Sequence, residues 1–256
     1  MIYKESYQIA GPDSRQRQRR KYDRSAGTMK KIAILQSNYI PWKGYFDLIA
    51  AVDEFILYDD VQFTKNDWRN RNKIKTPKGV EWITVPVGQE IRRRIRDVEL
   101  RDGHWQEKHW KTLETNYRRA RCFEEVAPAF EPIYRQKRYT HLSVLNRDLI
   151  ETVCACLGIT TTIRNSWDYQ LTEGKTQRLV DFCIQAGGTE YVSGPAARDY
   201  LEERPFSENG IALTWFDYAG YPEYPQLWGK FEHGVSILDL LFNCGRDAAR
   251  GMRFVK

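Results

Sequence analysis

The stretch from Ile32 to Tyr58 constrains the fold more than any other part of the chain. Ile32-Ala33-Ile34-Leu35 is a short apolar run between a basic pair and a polar turn, the pattern of a strand buried on both faces of a parallel sheet. Pro41 stops any early helix, apolar residues from Gly44 to Val52 recur at helical spacing, and Phe55-Ile56-Leu57-Tyr58 reads as a second buried strand. Strand, helix and strand within roughly 30 residues make a βαβ unit, whose crossover should be right-handed. An α/β fold follows.

Further along, residues 70–76 and 80–87 flank Pro77-Lys78-Gly79 and are expected to form a hairpin or a pair of edge strands. From His104 to about Gly158 the pattern is helical, with Trp105, His109, Leu113 and Tyr117 on one stripe and Leu142, Leu145, Leu149 and Val153 on another. Pro128 and Pro132 punctuate it. Arg178 to Ala186 reads as a helix closed by Gly187-Gly188, Glu190-Tyr191-Val192 and Ile211 to Phe216 as strands, and Ser236 to Phe242 as a last apolar helix. The expectation is a Rossmann-like, mostly parallel sheet, with residues 29–256 as a single α/β domain carrying a helical insertion at about 104–158.

A formal net charge of +6 invites a nucleic-acid reading, but residues 1–28 carry +4 of it and the remaining 228 residues only +2. A basic polar segment with few apolar residues buries too little surface to order itself. Residues 1–28 are therefore expected to be a disordered extension, with Met29-Lys30-Lys31 as an alternative start, and DNA is not an expected partner. The five cysteines are scattered without a CxxC pair, which suggests reduced thiols and not a zinc site or a disulfide framework. No apolar run approaches the ~20 residues of a membrane span. A soluble, cytoplasmic protein without membrane insertion is expected.

In open parallel sheets ligands sit at the carboxyl ends of strands, where strand order reverses. Three polar clusters fall at such ends: Gln36-Ser37-Asn38-Tyr39, Asp59-Asp60-Val61-Gln62 and Ser193-Gly194. A helix starting after Pro41 would offer free N–H groups, and Gly44 would let a phosphate approach the backbone. The turn has neither GxGxxG nor GxxxxGK[ST], so a packed aromatic turn is the alternative. Asp59-Asp60 is suited to coordinate Mg²⁺, orient a substrate amine or accept a proton; either could instead cap the next turn. The segment after it sets Lys65, Arg69, Arg71 and Lys73 among Asn66, Trp68, Asn70 and Asn72. Guanidinium forks with amides complete a shell for phosphate or carboxylate, and this geometry speaks against a merely solvated hairpin. Arg92-Arg93-Arg94 with Arg96, followed by Asp97 and Glu99, reads as a solvated face. The four histidines form no metal set, and no GxSxG or Cys–His nucleophile pattern is present.

The run Gln36-Ser37-Asn38-Tyr39-Ile40-Pro41-Trp42-Lys43-Gly44-Tyr45-Phe46 is one of four motifs that resemble the WbqC-like family. The others are Asp59-Asp60-Val61-Gln62-Phe63 with Trp68-Arg69-Asn70-Arg71-Asn72, Tyr191-Val192-Ser193-Gly194, and Ser236 to Gly245. The resemblance, from about Met29 to Gly245, implies a protein of bacterial O-antigen or other surface-polysaccharide clusters. The first motif is also similar to the opening of nucleotidyltransferase-type Rossmann enzymes such as pantothenate synthetase, whose HxGH grips ATP phosphates. Trp42 and Tyr45 stand where those histidines would be.

These readings converge on a transferase or ligase acylating the amino group of a nucleotide-linked deoxyamino sugar, for example with glycine. A non-catalytic nucleotide-sugar or carrier-binding protein of the same pathway is the alternative. Asp59, Asp60 and Tyr45 are the candidate catalytic residues. Gln36, Asn38, Lys43, Gly44, Gln62, Arg69, Asn70, Arg71, Asn72, Lys73, Ser193 and Gly194 would bind the nucleotide partner, with Tyr39 and Trp42 stacking on a base or sugar ring beside Tyr45. The acyl donor is an amino acid with ATP, a carrier-protein thioester or an aminoacyl-tRNA. ATP with Mg²⁺ is the cofactor pair in the first case, and none is required in the others.

Overall fold

The computed structural model describes residues 29–101 and 104–255. The expectation of a disordered extension over 1–28 concerns residues outside this range. The central strand β1 (Lys31–Leu35) pairs in parallel with β2 (Glu54–Leu57) on one side and with β6 (Glu190–Ser193) on the other. Strand β5 (Thr162–Asn165) adds to β2, and β7 (Ala212–Trp215) to β6, so the parallel sheet runs β5-β2-β1-β6-β7. Its register places Ile32 beside Glu54 and Leu35 beside Leu57. Side chains alternate between the faces, as strand geometry requires. Ala33, Phe55, Leu57 and Val192 enter a large core, while Ile32, Ile34, Ile56 and Tyr191 enter a smaller one.

The large core is closed by α1 (Lys43–Ala50), by the helical insertion α2 (His104–Tyr117), α3 (Phe123–Arg135) and α4 (Leu142–Leu157), and by α7 (Ile237–Cys244). The smaller is closed by α5 (Lys175–Gln185) and α6 (Arg204–Glu208). This is the expected Rossmann-like α/β arrangement, and the segment with helical stripes forms the helices α2, α3 and α4. Two details differ. Helix α3 runs through Pro128 and Pro132; Pro128 lies on the exposed face, where the carbonyl left without its N–H partner can turn to water. The polar strand β5, Thr-Ile-Arg-Asn, sits at the sheet edge and carries no apolar run by which to recognise it.

A second sheet is the antiparallel hairpin of β3 (Arg71–Thr76) and β4 (Gly79–Thr84). Gly79 has φ +112°, a conformation open to glycine, and it closes the turn after Pro77-Lys78. Ile74 and Ile83 anchor the hairpin in the large core, and Lys73 pairs with Trp82 on the strand opposite. Among the described residues no helix is long and apolar enough to cross a membrane.

Candidate functional site

The loop 36–42 leaves the carboxyl end of β1 and is fixed from below by a buried acidic corner. Asp59 accepts hydrogen bonds from the Ser37 N–H at 2.8 Å and the Ser37 hydroxyl at 2.7 Å. Asn146 donates to Ser37 Oγ at 3.1 Å and to the Arg69 carbonyl at 2.9 Å, which ties α4 to both loop and hairpin. Burial pushes the Asp59 carboxyl up to about 6, against the pull of its Ser37 bonds and of Arg69. Asp60 takes Arg96 Nη1 at 2.9 Å and Arg94 Nη1 at 3.5 Å on one oxygen and the Ser166 hydroxyl at 2.7 Å on the other. Neither carboxylate, expected to orient or deprotonate a substrate amine, is open to solvent. The run Arg92 to Arg96 stays partly exposed, as its reading as a solvated face expects, but Arg94 and Arg96 also serve as counter-charges of the buried Asp60 carboxylate.

The hairpin holds the loop from the side. Asn72 Nδ2 donates to the carbonyls of Tyr39 at 3.0 Å and Ile40 at 2.9 Å, and Tyr39 N–H donates to the Trp68 carbonyl at 2.9 Å. These bonds pin Ile40 at φ +38°, a conformation that costs a β-branched residue about 1–3 kcal/mol. Asn70 donates to the Val85 carbonyl at 2.9 Å. Arg69 is largely buried and donates to Asn38 Oδ1. Asn38 and Asn72 thus shape the loop and also line the recess above it, while Asn70 secures the end of the hairpin.

Of the expected stacking rings, Tyr39 and Tyr45 are core residues. The Tyr39 hydroxyl meets His109 Nδ1 at 2.8 Å and the Tyr134 hydroxyl at 2.9 Å, and burial holds His109 down to about 4, hence neutral. Tyr45 donates to the Gln36 carbonyl at 3.1 Å. Trp42 alone of the three lines the recess. Its indole also fills the space over Gly44, where an added Cβ would lie 2.3 Å from Trp42 Cζ2. Gly44 therefore admits the ring of Trp42 where a phosphate was expected. Lys43 points into the loop 217–235; its Nζ donates to the Pro222 carbonyl at 3.0 Å over the rings of Tyr221 and Tyr224, and burial lowers its pKa to about 8. Gln62 is exposed and bridges to Arg94. Ser193 is buried at the end of β6, and Gly194 faces the Tyr218 hydroxyl.

The open part of this region is a recess of about 220 Å³ between Asn38, Pro41, Trp42, Trp68, Asn72 and Gly234. Beside it the indoles of Trp68 and Trp82 lie 5.0 Å apart, 39% and 43% exposed. Arg71 packs its guanidinium 4.2 Å from the Trp82 ring, and Lys73 Nζ lies 5.2 Å from the same ring. The Nε atoms of Arg69 and Arg71 are buried and donate to no acceptor among the described residues. Such a surface can stack a planar or pyranose ring while cations take an attached anion. Trp82 escaped the sequence reading, although the turn at Pro77-Lys78-Gly79 places it opposite Lys73. Tyr58, Lys175 and Arg178 escaped it too; they line a second cleft, which shares the loop through Gln36. Among the described residues no group of three or more His, Cys, Asp or Glu side chains is placed to hold a metal ion.

A family model described as the WbqC-like protein family matches residues 36–251. The chain is 56% identical over 230 residues to the uncharacterized protein Rv1507c of Mycobacterium tuberculosis, an alignment spanning 89% of this chain and 100% of that protein. No solved structure matches this chain.

Proposed function

Because the chain belongs to the WbqC-like protein family, we propose that it is a transferase or ligase of bacterial surface-polysaccharide (O-antigen) assembly. In this reading it acylates the amino group of a nucleotide-linked deoxyamino sugar, for example with glycine. The observation that carries the reading is the exposed pair Trp68 and Trp82 with Arg71 and Lys73, beside a recess at the carboxyl end of the central strand. A nucleotide-linked sugar offers the matching chemistry: rings to stack and a diphosphate to neutralise. The sugar nitrogen forms an amide bond to the acyl carbonyl as the donor's AMP, carrier thiol or tRNA hydroxyl departs and the ammonium proton passes to solvent or to a base. Asp59 and Asp60 serve as positioning residues, since every oxygen they carry already accepts a bond within the fold.

One observation favours a second reading, a non-catalytic nucleotide-sugar or carrier-binding protein: among the described residues, no carboxylate, imidazole or thiol lines the recess. Incubation of the protein with amino-sugar nucleotides, glycine and ATP·Mg²⁺, followed by mass spectrometry, separates the two. Acylated sugar with AMP supports an adenylate route, and acylated sugar only with a thioester or aminoacyl-tRNA supports a carrier donor. Binding of the sugar nucleotide with no product from any donor sinks the enzyme reading in favour of the binder.

A further inference from the structure

The second cleft lies where the topology places ligands in open parallel sheets. Strand β1 stands between β2 and β6, with α1 packed on one face of the sheet and α5 on the other, so the carboxyl edge opens a crevice between diverging connections. The crevice here has a volume of about 410 Å³, within the roughly 300–1,000 Å³ of small-molecule sites. Its walls include Leu35, Gln36, Tyr58, Lys175, Arg178 and Tyr200, and no carboxylate lines it among the described residues. Arg178 is braced: Nε donates to the Thr172 carbonyl at 2.7 Å and Nη1 to the Tyr58 hydroxyl at 3.1 Å. Tyr58 is itself fixed edge-on against Phe182, ring centroids 5.5 Å apart. Neither Arg178 nor Lys175, one turn before it on α5, has an acidic partner among the described residues. Two uncompensated cations, one held rigid, face a pocket walled by aromatic rings.

We propose that this cleft binds a mononucleotide, its phosphate taken by Arg178 and Lys175 and its base flanked by Tyr58 and Tyr200. The charge calls for an anion, the tyrosines for a flat ring, and Gln36 supplies an amide that can donate to and accept from a base or ribose edge. The inference goes beyond the acyl-transfer reading and does not depend on it. The cleft and the tryptophan recess share only the loop 36–42, so the two ligands would meet across it.

The test is calorimetric titration of the full-length protein with ADP, with UDP and with inorganic phosphate, repeated on Lys175→Ala, Arg178→Gln and Arg246→Ala. The expected result is saturable binding of ADP or UDP more tightly than phosphate, weakened roughly ten-fold or more by either cation substitution. Arg246→Ala, which removes an exposed cation that lines neither cleft, should leave it unchanged. Lys175 is exposed, so its variant tests the site even if Arg178→Gln folds poorly. Absence of saturable nucleotide binding overturns the proposal, as does binding kept in full by both Lys175→Ala and a folded Arg178→Gln. Phosphate binding as tightly as ADP overturns the nucleotide assignment.

Discussion

The acidic corner below the loop 36–42 and the aromatic, basic face above it are built from adjacent segments, yet they stand in opposite states. In the corner, Asp59 and Asp60 are sealed and each oxygen has a donor, so the charges act inward on Ser37, Ser166 and Arg96. On the face, Trp68 and Trp82 stay exposed, and Arg71 and Lys73 lie against indoles instead of carboxylates. Polar residues that have spent their hydrogen-bonding capacity inside the fold are scaffold. Those that keep it are where a ligand can gain free energy.

The contrast breaks most sharply on stability. Asp60→Ala should lower the unfolding free energy by about 3 kcal/mol, because it strands the buried Ser166 hydroxyl and the arginines that served the carboxylate. Chemical denaturation reads this, and an unchanged midpoint would mean the corner is not structural.

A second effect of similar size is hidden in the wild type by two opposed titrations. His109, held down to about 4, stabilises the fold above its unfolded value of 6.5 and loses that contribution as pH falls toward 4. Asp59, held up to about 6, has the other sign: its contribution is present below its unfolded value of 3.8 and is lost as pH rises through 6. The two offset each other between about pH 4 and pH 6. Asp59→Asn should remove the second and expose the first, so that stability falls by about 3 kcal/mol from pH 6.5 to pH 4. Denaturant titrations across that range should show a nearly flat wild type and a sloping variant.

On the open face the effects belong to binding. Trp82→Ala should weaken capture of a nucleotide-linked sugar by about 1–3 kcal/mol through lost stacking, with no change in the thermal midpoint. Arg71→Lys keeps the charge and loses the fork and the flat contact with Trp82, for about 1 kcal/mol or less. Calorimetry alongside thermal melts separates these from the scaffold effects.

The same contrast explains what could be read from the sequence. The buried parallel strands were legible in the runs at Ile32 and Phe55, because a strand covered on both faces is apolar throughout, and the insertion was legible in its helical stripes. The polar edge strand β5 was not. Among site residues, the cluster from Trp68 to Lys73 and the loop at Gln36 and Asn38 could be placed at the carboxyl edge by topology. Which of them face outward could not: Tyr39 and Tyr45 look like Trp42 in sequence but pack inward, while Asn70 spends its amide on the Val85 carbonyl after β4 and Asn72 on the loop carbonyls of Tyr39 and Ile40. Asp59-Asp60 drew attention as an acidic pair, while the arginines that close it lie more than thirty residues away. Lys175 and Arg178 reach the crevice only through the order of the strands.

The most direct test of the division between scaffold and open face is binding of a UDP-linked deoxyamino sugar to the wild type, Trp68→Ala and Asp59→Asn at pH 7.5, followed by calorimetry. The account predicts that Asp59→Asn, which can preserve the Ser37 contacts, keeps wild-type affinity, and that Trp68→Ala loses at least roughly ten-fold. Affinity retained by Trp68→Ala and lost by a folded Asp59→Asn would contradict it.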